Sequence, residues 1–151
     1  MFDTPLNALS TNDINSYLHN VEKFKGTFPS DQVPFNKLTA ESFVINTDSK
    51  QGEHWTAVFI DVNKNVFFFD PLGTQLLNTK ILEKLKSLGV KKYVFSTRQI
   101  QPINSEGCGF YCIAFILALS HSYSYSHFLK MFSNQLLKNE EIVVRFIKQF
   151  I

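Results

Sequence analysis

The sequence predicts an α+β domain in which helices are segregated from a mainly antiparallel sheet, and three observations predict it. Helical patterns stand at both ends of the 151-residue chain, while its middle is dominated by short runs rich in β-branched and aromatic residues. Two of those runs, HWTAVFID at 54–61 and NVFFFD at 65–70, flank the turn-prone VNK and read as an antiparallel hairpin. Residues 108–119 are apolar on all sides, the mark of a helix buried in the middle of a fold.

From the N-terminus, Ser10 or Thr11 caps a short helix that carries Asp13, Ile14, Tyr17, Leu18 and Val21. FKGTFPSDQVP, residues 24–34, reads as irregular structure. ESFVINT, residues 41–47, alternates as a strand and precedes the hairpin. Residues 75–88 then place Leu76, Leu77, Ile81, Leu82 and Leu85 at helical spacing, with Gly89 as the stop. KYVFST, residues 92–97, is another strand. After the polar run QPINSEG the buried helix begins, and two amphipathic helices, 125–137 and 139–150, close the chain.

The hydrophobic fraction of 44%, with 16 Phe and only 19% charged residues, describes a globular core unusually rich in phenylalanine and nothing disordered. The length fits one domain over residues 1–151, enough to bury roughly two thirds of the unfolded surface without staples. A net charge of +2 with dispersed lysines gives polyanions a weak attraction at most, so nucleic-acid binding is not indicated. MFDTPLNALSTND lacks a basic start followed by an apolar stretch, and the longest apolar block, IAFILAL, is far too short for a bilayer, so a soluble, non-secreted protein without a membrane anchor is expected. Cys108 and Cys112 lie four residues apart and would share a helix face, where disulfide geometry is not available; free thiols in a reducing compartment follow.

Chemistry is concentrated at three places. A three-residue loop at 62–64 sets Asp61 opposite Asn65 and Thr56 opposite Asp70, which puts His54 on the face of Asp70 one diagonal step away, about 7–8 Å at the backbone. A two-residue loop would shift the register by one and send the two residues to opposite faces. Each also has a plain structural role open to it, His54 as a strand histidine and Asp70 as the start of the DPLG turn. Cys108 stands at the leading edge of the buried helix, where unpaired backbone N–H groups and the helix dipole favour a thiolate, and Gly107 and Gly109 remove side chains from both of its flanks. A Cys nucleophile, a His base and an orienting carboxylate make up the set for acyl transfer, with the Cys108 N–H and the Gln101 amide as oxyanion donors. The structural alternative is a packing cysteine and an exposed loop glutamine. His19 falls in the expected N-terminal surface helix, His121 and His127 have no acid or cysteine at metal-ligand spacing, and no phosphate loop or paired-carboxylate motif is present.

In these residues the sequence resembles the adenovirus-type maturation proteases, which share a clan with the proteases of ubiquitin-like modifiers. FVINT before GEHW (52–55), FFFDPLG (67–73) and above all Q-x-x-N-S-x-x-C-G (101–109) carry the resemblance. It runs from about Phe24, where FKGTFP looks like a family stretch, to about Phe110, with a weaker echo in the last helix. The modifier proteases usually have one residue fewer between Gln and Cys and often Asp where this chain has Gly107, so the spacing favours the viral branch. The resemblance implies a papain-like, adenovirus-protease-like fold: a central mainly antiparallel sheet, a buried helix carrying the nucleophilic Cys, and flanking helices. It implies Cys108 as nucleophile, His54 as general base, Asp70 as orienting acid and Gln101 as oxyanion donor, with Trp55 beside the His narrowing a cleft bordered by Gly107 and Gly109. The implied substrates are viral capsid and structural precursor proteins, cut at small, glycine-containing sites during virion maturation, in the virion and the infected cell; a virophage, a mobile element or another DNA virus would fit. A protease for a ubiquitin-like modifier and an inactive peptide-binding relative are the alternatives. The chain departs from the viral family in having Asp70 where Glu is usual, and in lacking a cysteine in LGVKKYVFS, where an activating peptide would be disulfide-linked. No cofactor is required by the sequence. An activating peptide held without a disulfide remains open, and DNA as a cofactor finds little support in the charge.

Overall fold

The computed structural model describes residues 6–35, 37–47, 54–73 and 77–151. In chain order the elements are α1 (Thr11–Leu18), β1 (Phe24–Pro29), β2 (Glu41–Asn46), β3 (Trp55–Ile60), β4 (Asn65–Phe69), α2 (Thr79–Ser87), β5 (Lys92–Phe95), α3 (Cys108–Ser120), α4 (Tyr125–Lys130) and α5 (Leu136–Lys148). The sheet runs β1-β2-β3-β4-β5. Its centre is antiparallel, and both edge strands join it parallel. The fold is α+β, as the sequence predicts.

The hairpin adopts the three-residue loop. Ile60 pairs with Val66 and Ala57 with Phe69, and the Asp61 N–H donates to Asn65 O at 3.0 Å. Asp61 fixes this register itself, because its Oδ1 accepts the backbone N–H groups of Asn63 and Asn65 at 2.9 and 3.0 Å.

Strand alternation sends side chains to two buried layers. Val44, Ala57 and Phe69 face α3, together with α1, α4 and α5. Phe43, Ile45, Val58, Ile60, Val66 and Phe68 face α2 and the segment holding Phe35 and Leu38. Because the central strands are covered on both faces they read as continuous apolar runs. Every residue of α3 from Cys108 to Leu119 is buried.

Four sequence expectations shift. Residues 24–29 form a strand, not irregular structure: Gly26, at φ +130°, sits where the register slips between Phe24 and Thr27, and Pro29 ends the strand. Proline, without an N–H, is confined to edges and strand ends, and glycine weakens a strand interior but suits a bulge, so both fit an edge strand. The helix expected from residue 75 begins at Thr79, since the Asn78 side chain caps it by accepting the Lys80 N–H; positions 75 and 76 lie outside the described residues. The strand expected over 92–97 ends at Phe95. The closing helices end at Lys130 and begin at Leu136, because Asn139 Oδ1 accepts the Ser133 N–H at 2.7 Å and shapes the loop between them.

Phe115 is fully buried and stacks on Phe69 with ring centroids 4.9 Å apart, with Tyr125 and Phe128 edge-on to it. Phe115→Ala leaves a cavity that these three rigid rings cannot fill. It is expected to lower unfolding free energy by about 3–5 kcal/mol in urea titration, whereas Val62→Ala, at an exposed loop position, should change it by less than about 0.5 kcal/mol.

Candidate active site

Three segments converge at the open end of the β3–β4 hairpin. His54 immediately precedes β3, and its carbonyl is held by the Thr47 N–H at 3.0 Å and the Thr47 hydroxyl at 3.2 Å. Asp70 immediately follows β4. Its Oδ1 accepts the Leu72 N–H at 2.9 Å while its backbone carbonyl accepts the Gly73 N–H at 2.9 Å, so the DPLG turn holds both the carboxylate and the backbone that carries it. Gly73 is required there: at φ +68°, a Cβ would lie 2.4 Å from Thr97 O.

Across the hairpin, His54 Nε2 lies 2.8 Å from Asp70 Oδ1, with the Asp70 side chain fully buried and the His54 side chain 17% exposed. The imidazole also hydrogen-bonds the side chain of Cys108, the first residue of α3. Cys108 Sγ also accepts the Trp55 backbone N–H at 3.4 Å. The N-terminus of α3 has no side-chain cap and no acid in its first turn, so its positive end acts on the thiol without competition from its own helix. Acid, imidazole and sulfur thus form one hydrogen-bonded row.

The charge of the row follows from its partners. Burial opposes protonation of His54, but the hydrogen bonds and negative charge of Asp70 and Cys108 outweigh it and raise its pKa from 6.5 to about 9. Cys112, wholly buried one turn along α3, has its pKa pushed well up by desolvation and is packing.

Gln101 is brought to the same place by a loop clamped to the Asp70 turn. One oxygen, that of Pro71, accepts the N–H groups of both Ile100 and Gln101, at 2.9 and 3.1 Å. The side chain is only 2% exposed, which excludes the loop-surface alternative. Its Nε2 donates to Ser105 O at 2.8 Å, leaving the second amide proton for another acceptor.

Trp55 and the glycines differ from expectation in what surrounds them. Trp55 is buried, its indole N–H donating to Leu9 O at 3.0 Å, so it does not stand at an open wall. The spaces beside Gly107 and Gly109 are not open either. A Cβ at Gly107 would meet Leu6 Cβ at 2.8 Å, and one at Gly109 would meet Leu9 Cβ at 3.1 Å. The glycines admit the N-terminal segment, whose Leu6 and Leu9 are nearly inaccessible.

Ser105, Tyr111, Asn139 and Glu140 were not anticipated. Ser105 Oγ donates to Glu140 Oε1 at 2.6 Å and accepts the Gly107 N–H at 3.0 Å. Tyr111 O–H donates to Glu140 Oε2. Asn139 Nδ2 donates to Ile100 O at 2.8 Å. A sequence signal existed for Glu140: with Val143, Val144 and Ile147 it completes an i, i+3, i+4, i+7 stripe, where an acid is out of place unless it is paired.

The adenovirus endoprotease family model matches residues 23–139. The chain belongs to the adenovirus endoprotease family. This is a family of cysteine peptidases, and the match spans all three segments of the site. No curated protein matches the chain by sequence. Among solved structures, the ASFV protease superposes with a TM-score of 0.68 at 19% identity, covering 91% of this chain and 66% of that one, so this chain spans just under two thirds of its length. The central domain of an uncharacterized Legionella pneumophila protein gives 0.56 at 11% identity, covering 95% and 96%. The C-terminal protease domain of Ulp1, solved with the yeast ortholog of SUMO, gives 0.55 at 16% identity, covering 96% and 79%. These likenesses establish a shared fold. Among the described residues no helix is long and apolar enough to cross a membrane.

The raised His54 pKa has a stability consequence whose sign is fixed. Folding favours the protonated imidazole, so its contribution is complete below about pH 6.5 and is lost as pH rises through about 9. Urea unfolding is expected to show stability declining between those values, and the decline should shrink in Asp70→Asn, which removes the charge that holds the proton.

Proposed function

We propose that this chain is a cysteine endopeptidase that cleaves viral structural precursor proteins at small-residue sites during virion maturation. The observation that carries the reading is the buried row from Asp70 through His54 to Cys108, ending at the N-terminus of α3. Asp70 occupies Nε2 of His54, so Nδ1 faces the thiol and takes its proton. The resulting thiolate is stabilised by the imidazolium and by the helix end.

Attack on a peptide carbonyl forms the C–S bond and moves the carbonyl π electrons onto oxygen. The Cys108 N–H and the remaining Gln101 amide proton are the donors for that oxyanion. His54 then returns its proton to the leaving amine as the C–N bond breaks, and water, deprotonated by the same imidazole, hydrolyses the thioester. Asp70 keeps the imidazole in the tautomer and plane both transfers need. Leu6 and Leu9 crowd the flanks of Cys108, which supports a preference for glycine or another small residue beside the scissile bond. Membership in the adenovirus endoprotease family supports viral precursors as substrates and an infected cell as the setting. Cys108 and Cys112, the two cysteines of the sequence, are both buried and in no disulfide, so an activating peptide would dock without one.

Incubating the protein with the structural proteins encoded beside it and sequencing the new termini tests substrate and site together. Cleavage after small residues that disappears in Cys108→Ala is the expected result; cleavage persisting in that variant would sink the mechanism. A probe built on a ubiquitin-like modifier tail that labels Cys108 while the structural proteins stay intact would instead move the substrate to modifier conjugates, in keeping with the fold shared with Ulp1. Asp70→Asn is expected to stay folded with kcat lowered on the order of 10²–10⁴-fold. In the wild type, kcat/KM should fall on the alkaline side with an apparent pKa of about 9, as His54 loses its proton.

A further inference from the structure

The peptidase reading assigns Gln101 and the Cys108 N–H as oxyanion donors but leaves open what keeps them in register. The loop that carries Gln101 makes a turn through Ser105 before it reaches Gly107, and Ser105 serves it at both ends. Its carbonyl accepts the Gln101 side-chain N–H, and its hydroxyl accepts the Gly107 N–H one residue before the nucleophile. The Ser105 carbonyl also decides which end of the Gln101 amide points where, because the flipped amide would set two oxygens against each other. A serine hydroxyl has one proton and rotates freely unless something claims it. Here Glu140 claims it: Oε1 takes the proton at 2.6 Å, which turns the hydroxyl lone pairs toward Gly107. The other Glu140 oxygen accepts Tyr111 O–H, one turn inside α3. Glu140 is 5% exposed, and hydrogen bonds to a buried carboxylate are stronger than neutral ones. Its neighbour Asn139, wholly buried, holds the Ile100 carbonyl on the other side of Gln101.

We propose, resting on the cysteine-peptidase reading, that Glu140 is a positioning residue for the oxyanion hole, acting through Ser105 to fix the Gln101 amide and the Gly107–Cys108 backbone relative to one another. It touches neither substrate nor thiol. Its effect is therefore confined to the step in which the oxyanion forms and is absent from the intrinsic reactivity of Cys108.

The test compares wild type, Ser105→Ala, Glu140→Gln and the double variant on a fluorogenic peptide with glycine before the scissile bond. In parallel, the rate of Cys108 alkylation by iodoacetamide is followed by peptide mass mapping, and thermal unfolding is recorded. The expected result is a kcat lower by about 10- to 100-fold in each single variant with KM within about threefold, an alkylation rate within about twofold of wild type, and a double variant no slower than the slower single, since both changes break one chain of contacts. Tyr111→Phe removes the other donor from the same carboxylate and spares the Ser105 link; it should lower kcat far less than Ser105→Ala. Unchanged kcat in Glu140→Gln, additive losses, equal losses in Tyr111→Phe, or kcat and alkylation falling together would each overturn the assignment. Should Glu140→Gln not fold, Ser105→Ala carries the comparison alone, because it cuts the same link and leaves Tyr111 in place. Peptide cleavage that survives Cys108→Ala refutes the peptidase reading, whereas Cys108-dependent cleavage indifferent to Ser105 and Glu140 refutes only the positioning role.

Discussion

The enclosure of α3 is the constraint from which the rest of the structure follows. A helix apolar on every side has no face to give to water, so the sheet must cover one side and α1, α4 and α5 the others. The magnitudes show which effect sets its place. Each large side chain buried along α3 contributes about 1.5–3 kcal/mol, whereas a favourable charge at a helix terminus contributes about 0.3–1 kcal/mol. Burial fixes where the helix lies, and the dipole then acts on whatever residue stands at its end. That residue is Cys108, so the sulfur rides on a helix whose residues from Cys108 to Leu119 are all buried.

Around that fixed sulfur the other groups are placed by backbone, not by long side chains. His54 and Asp70 stand at the open end of one hairpin, and the strand register sets their separation. The loop carrying Gln101 is held by polar contacts on three sides: to the Pro71 carbonyl, to Asn139 and Glu140 at the start of α5, and through Arg98, whose guanidinium donates to the Leu129 and Phe132 carbonyls at 2.6 and 2.7 Å. A loop with almost no secondary structure is thereby as determined as a strand, which an oxyanion donor requires.

What the sequence revealed divides along the line between local and remote causes. The hairpin was legible because period-two alternation is a local rule, but the sequence left two loop lengths open, and the three-residue loop closed by Asp61 is what brings His54 to Asp70. Cys108 was legible because a polar run meeting an apolar block marks a helix start. The edge strand β1 was obscured because Gly26 and Pro29 carry the same signal in a loop and at a sheet edge, and only the neighbour β2 decides between them. The helix starts at Thr79 and Leu136 slipped for a related reason, since a capping or clamping amide such as Asn78 or Asn139 has helical neighbours on both sides of the choice. Glu140 interrupted an apolar stripe and could have been singled out, but its partners lie 29 and 35 residues away. Leu6 and Leu9 carried no signal, because their contact with the glycines is purely tertiary.

That contact ties two distant positions of the chain into a single volume. The room a side chain would need at residue 107 is already taken by Leu6, and at residue 109 by Leu9 and the edge of the Trp55 ring. A methyl group gained at residue 107 must be matched by a shift or loss of bulk at Leu6, whereas at residue 109 Leu9 and Trp55 need only yield slightly. Residues 6 and 107, about a hundred positions apart, are thereby sterically coupled, and Leu6 and Leu9 form part of the wall beside the nucleophile.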